Sequence, residues 1–289
     1  MQSQYINFKR KRELGEIITD TFKFLRRNYK PIFRNMFKIV GIPFVLFIAA
    51  SAYNAQSSFG ESALFDITNP YGVFDSATVI VSALAVYLFL FIFLTFMNAT
   101  VMSIVKSYIA NEGEIVDEEV NDTVKAKIGD IFLAGLGKGI LTFIGYLLCI
   151  IPGIYISIPF FLLFPILIFE NKKVGDVFSA CFDLVKDNWW ITFASVIVLG
   201  LLWYLISMVF TLPSMIYIWV KMFTSMQEGS LSDPSGMFDI GTVILTVVAS
   251  ALQYLAYVFM PIGAAFIYFN LNEQKNQTGT LEQIDRLGE

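Results

Sequence analysis

The chain contains no histidine and only two cysteines in its 289 residues. The first absence removes the commonest general base and the commonest metal ligand together. A histidine-ligated iron site is excluded on composition alone. Cys149 lies inside an apolar run and Cys181 lies on a helical apolar stripe. Both read as small buried hydrophobes, and no disulfide is expected. Charge is scarce as well, at 15% of the chain, against about 25% in a soluble domain. No carboxylate pair falls inside an apolar run, and no nucleophile stands beside a base, so no catalytic, metal-binding or cofactor-binding residue is expected.

What remains is apolar. The chain is 56% hydrophobic and 16% aromatic, with a mean hydropathy of +0.65. Several runs reach the roughly 18 residues that mark a membrane span. The sequence predicts an all-α integral membrane protein with spans near 36–54, 78–105, 131–151, 154–169, 190–211 and 240–271. The AASAYNA that ends the first span resembles a signal-peptidase site. The charged region before it is far longer than a signal n-region, so the span is expected to be retained.

An internal duplication organises these spans. Residues 14–33 (LGEIITDTFKFLRRNYKPIF) align with 174–193 (VGDVFSACFDLVKDNWWITF) at an offset of 160. Gly15 meets Gly175, Phe22 meets Phe182, Asn28 meets Asn188 and Phe33 meets Phe193. Both copies carry an apolar stripe at helical spacing. In the first it is Leu14, Ile17, Ile18, Thr21, Phe22 and Leu25; in the second, Val174, Val177, Phe178, Cys181, Phe182 and Val185. Ile17, Phe22, Leu25, Val177, Phe182 and Val185 are the candidate interface residues. A weaker echo joins the openings of spans two and six, Asp75-x-x-Thr78-Val79-Ile80 and Asp239-x-x-Thr242-Val243-Ile244. The expected architecture is two parallel pseudo-repeats, each with a cytoplasmic amphipathic helix, related by an axis along the membrane normal. Residues 1–130 form the first repeat and 174–289 the second. Between them, 131–173 form a central hairpin, with its turn placed at Pro152-Gly153.

Basic residues fix the expected orientation. Ten of them fall in residues 1–38, and 19 of the 20 in the chain fall on one proposed side, with Lys221 the exception. This positive-inside pattern places both termini in the cytoplasm of a bacterial inner membrane. Lys138 is expected to snorkel to the inner surface. The basic N-terminal helix lies on anionic lipid or packs on the protein's own spans. The acids at 112–119 read as a solvated loop rather than a metal site. Residues 212–238 read as an outer loop with an interfacial or re-entrant helix.

Three of these segments carry a family likeness: LGEIITDTFKFLRRN, IPGIYISIPFFLLFPILIFEN and VGDVFSACFDLVKDNWW. Together they resemble the glycerophosphoryl diester phosphodiesterase membrane domain and its uncharacterised bacterial relatives. The resemblance covers most of the chain and implies architecture only. That family's chemistry belongs to a fused barrel domain whose histidines and metal-binding carboxylates have no counterpart here.

The expected role is a non-enzymatic subunit or scaffold of a membrane assembly. Its partners would be the lipid bilayer and other membrane proteins or further copies of itself, with no nucleic acid. The alternative is a small transporter or channel for a neutral or lipid-like substrate. Thr95, Asn98 and Gln253 are the candidate intramembrane polar contacts, for hydrogen bonds between helices or for lining such a path.

Overall fold

The computed structural model describes residues 5–60, 77–227, 240–279 and 281. The molecule is all-helical, with six helices long and apolar enough to cross a membrane. In chain order the described helices begin with α1 (Leu14–Gly60), α2 (Ala77–Ala110) and the short α3 (Asp117–Ala126). Helices α4 (Ile128–Leu148), α5 (Ile150–Phe161) and α6 (Leu163–Phe169) follow. Then come α7 (Val174–Val185), a 3-10 turn at Lys186–Asn188, α8 (Trp189–Gln227), α9 (Ile240–Ala256) and α10 (Phe259–Asn276). Most of the outer-loop expectations, Asp75 and Asp239 among them, and the tail from 282 onward fall outside the described residues.

The helices divide between two compact units. The first holds residues 1–39, 95–202 and 258–289. Its centre is the second half of α2 together with α10. From Met97 to Val105 the inward positions of α2 are buried, and almost the whole of α10 from Phe259 to Leu271 is buried. A helix apolar all round belongs inside a bundle, as here. The second unit holds residues 40–94 and 203–257. It has its own aromatic centre, in which Phe47 stacks on Phe93 and meets Tyr254 edge-on. Asn54 donates to the Ser82 hydroxyl at 2.9 Å in the same unit.

Proline positions explain two of the helix breaks. Pro165 and Pro261 each stand in the first turn of a helix, where a missing N–H costs nothing. The chain therefore breaks just ahead of them, at Leu162 and at Tyr257–Val258. Pro213 does not end α8, because the apolar pattern continues past it. Residues 212–227 thus extend α8 instead of forming a separate interfacial or re-entrant helix. At 39 residues, α8 is about 58 Å long.

The central hairpin turns earlier than expected. Cys149 is fully extended (φ −173°, ψ 157°) and makes the reversal, while Pro152 and Gly153 lie in the first turn of α5. Proline suits that position, and Gly153 lets α4 and α5 touch. A Cβ there would lie 2.4 Å from the Tyr146 ring and 2.9 Å from its Cα. Cys149 is consequently exposed, not buried, whereas Cys181 is buried as expected. The acidic stretch is ordered too. Glu112 and Gly113 take positive φ in a turn, and α3 buries Val120 and Val124.

Gly153→Val is expected to destabilise the detergent-solubilised protein by roughly 1–3 kcal/mol of overpacking, read as a lower unfolding midpoint. Gly175, where a Cβ would meet nothing within 4 Å, is the control. Gly175→Ala should leave the midpoint unchanged or raise it. Equal behaviour of the two variants would disprove the close α4–α5 approach.

Candidate functional site

The first unit carries two features beyond apolar packing: a polar layer built from the basic residues, and a groove at the junction of α7 and α8.

The polar layer begins with the N-terminal segment 5–13. It is not an exposed basic arm. Phe8 is fully buried, stacks on Phe266 at 4.3 Å and meets Phe24 edge-on. Ile6 is buried, and its N–H donates to the Tyr108 hydroxyl. The Arg12 side chain has 0% exposure and pairs with Asp20 at 3.0 Å. Its guanidinium also donates to the carbonyls of Asn7, Phe8 and Arg10 and lies over the Phe266 ring. The backbone N–H of Arg12 donates to Asn270. Burial pushes the Arg12 pKa down, and Asp20 works against that shift. Arg10, half-exposed, adds a second cation to Asp20 and pairs with Glu16. The segment is thus stapled to α1 and α10.

Other basic residues cap helix ends. The last carbonyls of a helix have no intrahelical donor, and lysine is suited to them by charge and reach. Lys127 donates to the carbonyl of Leu167 at 2.8 Å and Lys106 to that of Ile168 at 3.4 Å, closing α6. Lys275 donates to the carbonyl of Asp183 near the end of α7. Arg34 and the Asn35 amide both donate to Asp117 at 2.7 Å. Burial alone would raise the Asp117 pKa, but these two hydrogen bonds hold it below the usual carboxylate value. Ser107 and Asn111 donate to Glu119. Lys138 does not reach out as a snorkelling residue would. Its ammonium lies 5.5 Å from the centre of the buried Phe164 ring.

Ile17, Val177 and Val185 are buried, Leu25 and Phe182 are half-buried, and Phe22 is 38% exposed, lying against Phe259. The buried face is rotated from the expected one. It comprises Ile17, Asp20, Thr21 and Phe24 in α1, and Val177, Ala180, Cys181, Leu184 and Val185 in α7. The expectation missed Asp20 because its polarity hid its pairing with Arg12. The apolar face of α7 is already covered: Phe178 packs on Gly137 and Phe160, and Phe182 on Tyr155 and Phe160. Thr95 is buried against Gly135, where a Cβ would come within 2.6 Å of it. Asn98 and Gln253 are half-buried, and the three residues do not form one cluster within either unit.

The groove has a volume of about 750 Å³. One wall is Ile151, Ile154 and Tyr155 of α5; the other is Lys186–Ile191 with Phe193. Tyr155 stacks on Trp189 at 5.5 Å, and Trp189 stacks on Phe193 at 5.3 Å. Trp190 stands at 89° to Trp189 and is 75% exposed. Pro159 explains the position of Trp189. Having no N–H, it frees the carbonyl of Tyr155 four residues earlier. The Trp189 indole N–H lies 3.5 Å from that oxygen.

Removing Asp20 strands a buried arginine, so Asp20→Ala should cost about 3–5 kcal/mol. Trypsin is expected to cut at Lys9, Arg10 or Lys11 in that variant while sparing the parent. Asp20→Glu, which keeps a carboxylate for Arg12, should retain most of the protection, and cleavage as fast as in Asp20→Ala would count against the staple.

The chain matches no family model, no curated protein and no solved structure.

Proposed function

We propose that the protein is a non-enzymatic subunit or scaffold of a bacterial cytoplasmic-membrane assembly, with both termini in the cytoplasm. The observation that carries this reading is the polar layer of the first unit. Its charged groups serve as staples and helix caps: Arg12 with Asp20, Arg34 with Asp117, and Lys106, Lys127 and Lys275 on carbonyls. These contacts build a rigid platform. A partner would meet its outward residues, such as Asp176, Ser179 and Asp183 of α7, since the apolar face of that helix is occupied.

A duplicated origin belongs to the same reading. Buried positions 17, 20, 21 and 24 correspond at the offset of 160 to 177, 180, 181 and 184. The helical path is interrupted at Asn28 (φ −112°, ψ 17°) and again at Lys186–Asn188. Those matching features support two parallel repeats and, with them, the resemblance to the phosphodiesterase membrane domain.

A second reading, transport of a neutral solute, draws on the second unit. A pocket of about 260 Å³ there is lined by Ser51, Asn54, Tyr87, Ser250 and Tyr254 among apolar residues. The Trp203 indole nitrogen and the Ser207 hydroxyl are also buried in that unit without a hydrogen-bond partner. Buried polar groups in a membrane bundle suit a hydrogen-bonding solute.

Gentle detergent extraction from the native membrane, followed by mass spectrometry, separates the two readings. The subunit reading expects stoichiometric membrane-protein partners. A clean homo-oligomer carrying a small molecule would favour transport. Orientation is tested by accessibility labelling of single cysteines. Ser58→Cys and Ser230→Cys should label from outside, Asn121→Cys and Gln277→Cys only from inside; a swap between the sets would overturn the topology.

A further inference from the structure

The groove between α5 and the α7–α8 junction has the chemistry of a phospholipid site, and we propose that it holds the head group of a zwitterionic phospholipid. Four features lead there. Its mouth adjoins the tip of the α4–α5 hairpin, where Leu147, Leu148, Ile150 and Ile151 are 69–76% exposed. An exposed apolar tip of this kind suits contact with lipid at the membrane boundary, and the groove opens beside it. Its wall is the stacked series Tyr155, Trp189 and Phe193, with Trp190 beside it. Tryptophan and tyrosine settle where hydrocarbon meets head groups. The indole N–H directed at the Tyr155 carbonyl sets that wall before any ligand arrives. Finally, the rim carries one cation and one anion side by side, Lys186 and Asp187, both exposed. Neither has an ion-pair partner among the described residues.

The rim charges sum to zero, which decides the head group. A phosphate placed on Lys186 gains a charge-assisted hydrogen bond. In an anionic lipid nothing would answer Asp187, and the like charge would repel. In a zwitterionic lipid the ammonium sits between the Asp187 carboxylate and the face of Trp190, where cation–π attraction adds to the ion pair. The volume is that of a small-molecule site. It takes a head group and the first acyl carbons, which run over Ile151, Ile154 and Ile191 and leave the remaining chain in the bilayer.

The test uses the full-length protein with Trp203→Phe and Trp219→Phe, so that Trp189 and Trp190 alone report. The Trp203 indole is buried without a partner, so its loss strands no acceptor. The protein is placed in nanodiscs of mixed phosphatidylethanolamine and phosphatidylglycerol. One lipid at a time carries bromines near the head-group end of its chains, and fluorescence quenching is followed against mole fraction. Brominated phosphatidylethanolamine should reach half-maximal quenching at a several-fold lower mole fraction than brominated phosphatidylglycerol. Lys186→Gln and Asp187→Asn, both at exposed positions, should each abolish that difference. Equal quenching by the two lipids would mean only a bulk annulus and would overturn the site. A preference for phosphatidylglycerol, or a phosphatidylethanolamine preference that survives both substitutions, would overturn the assignment to the rim charges.

Discussion

A backbone carbonyl left without a donor in an apolar setting costs several kcal/mol, and this structure is arranged around that constraint. Helix ends and breaks expose such carbonyls, and at three places in the first unit a side chain from elsewhere is brought to them. Lys106 and Lys127 close α6, and Lys275 reaches α7. The Trp189 indole turns toward the oxygen that Pro159 frees. Arg12 answers three carbonyls of the N-terminal segment while neutralising Asp20. These long-range contacts tie residues far apart in the chain, so the packing of the central helices and the closing of their neighbours' ends are coupled.

Basic residues would have two duties in the proposed orientation. Charge asymmetry across a bilayer places lysine and arginine on one side whatever their individual contacts. The structure adds that several of them are also helix caps. A surface lysine pair contributes little on its own. A lysine on an otherwise stranded carbonyl contributes more, because its removal leaves a desolvated acceptor. The same logic separates Arg12 from its neighbours Arg10 and Lys11. Only Arg12 is enclosed, so its charge and all its donors must be answered within the protein.

Much of the fold is legible in the sequence because hydropathy and length are local signals. The six apolar helices follow from the runs themselves. Boundaries are less legible. Pro152-Gly153 has the composition of a turn, yet proline is equally at home in a first helical turn, and only the contact of Gly153 with Tyr146 distinguishes the two. Residues 212–223 contain a proline but keep their apolar pattern, and the pattern prevails. The stripe 14–25 reads as apolar, so the buried Asp20 escapes it. Its place depends on Arg12, which lies outside the helix, and no periodicity within the helix reveals it. The groove is similarly hidden. Trp189 and Trp190 are visible as the end of an amphipathic copy, but the Tyr155 carbonyl that orients Trp189 belongs to a different helix.

That last case shows how a local rule produces a long-range feature. Pro159 sits near the end of α5, where a short helix can lose one hydrogen bond at modest cost. The lost bond is not neutral in an apolar environment, and an indole N–H at the start of α8 lies 3.5 Å from the freed oxygen. Once the indole is held there, Tyr155 and Phe193 can stack on its two sides, and the 3-10 turn before it is fixed against the hairpin. The turn's charged pair, Lys186 and Asp187, is thereby kept at the mouth of an apolar groove instead of moving freely on the surface. A single missing N–H in one helix thus positions an aromatic wall and two charges contributed by another.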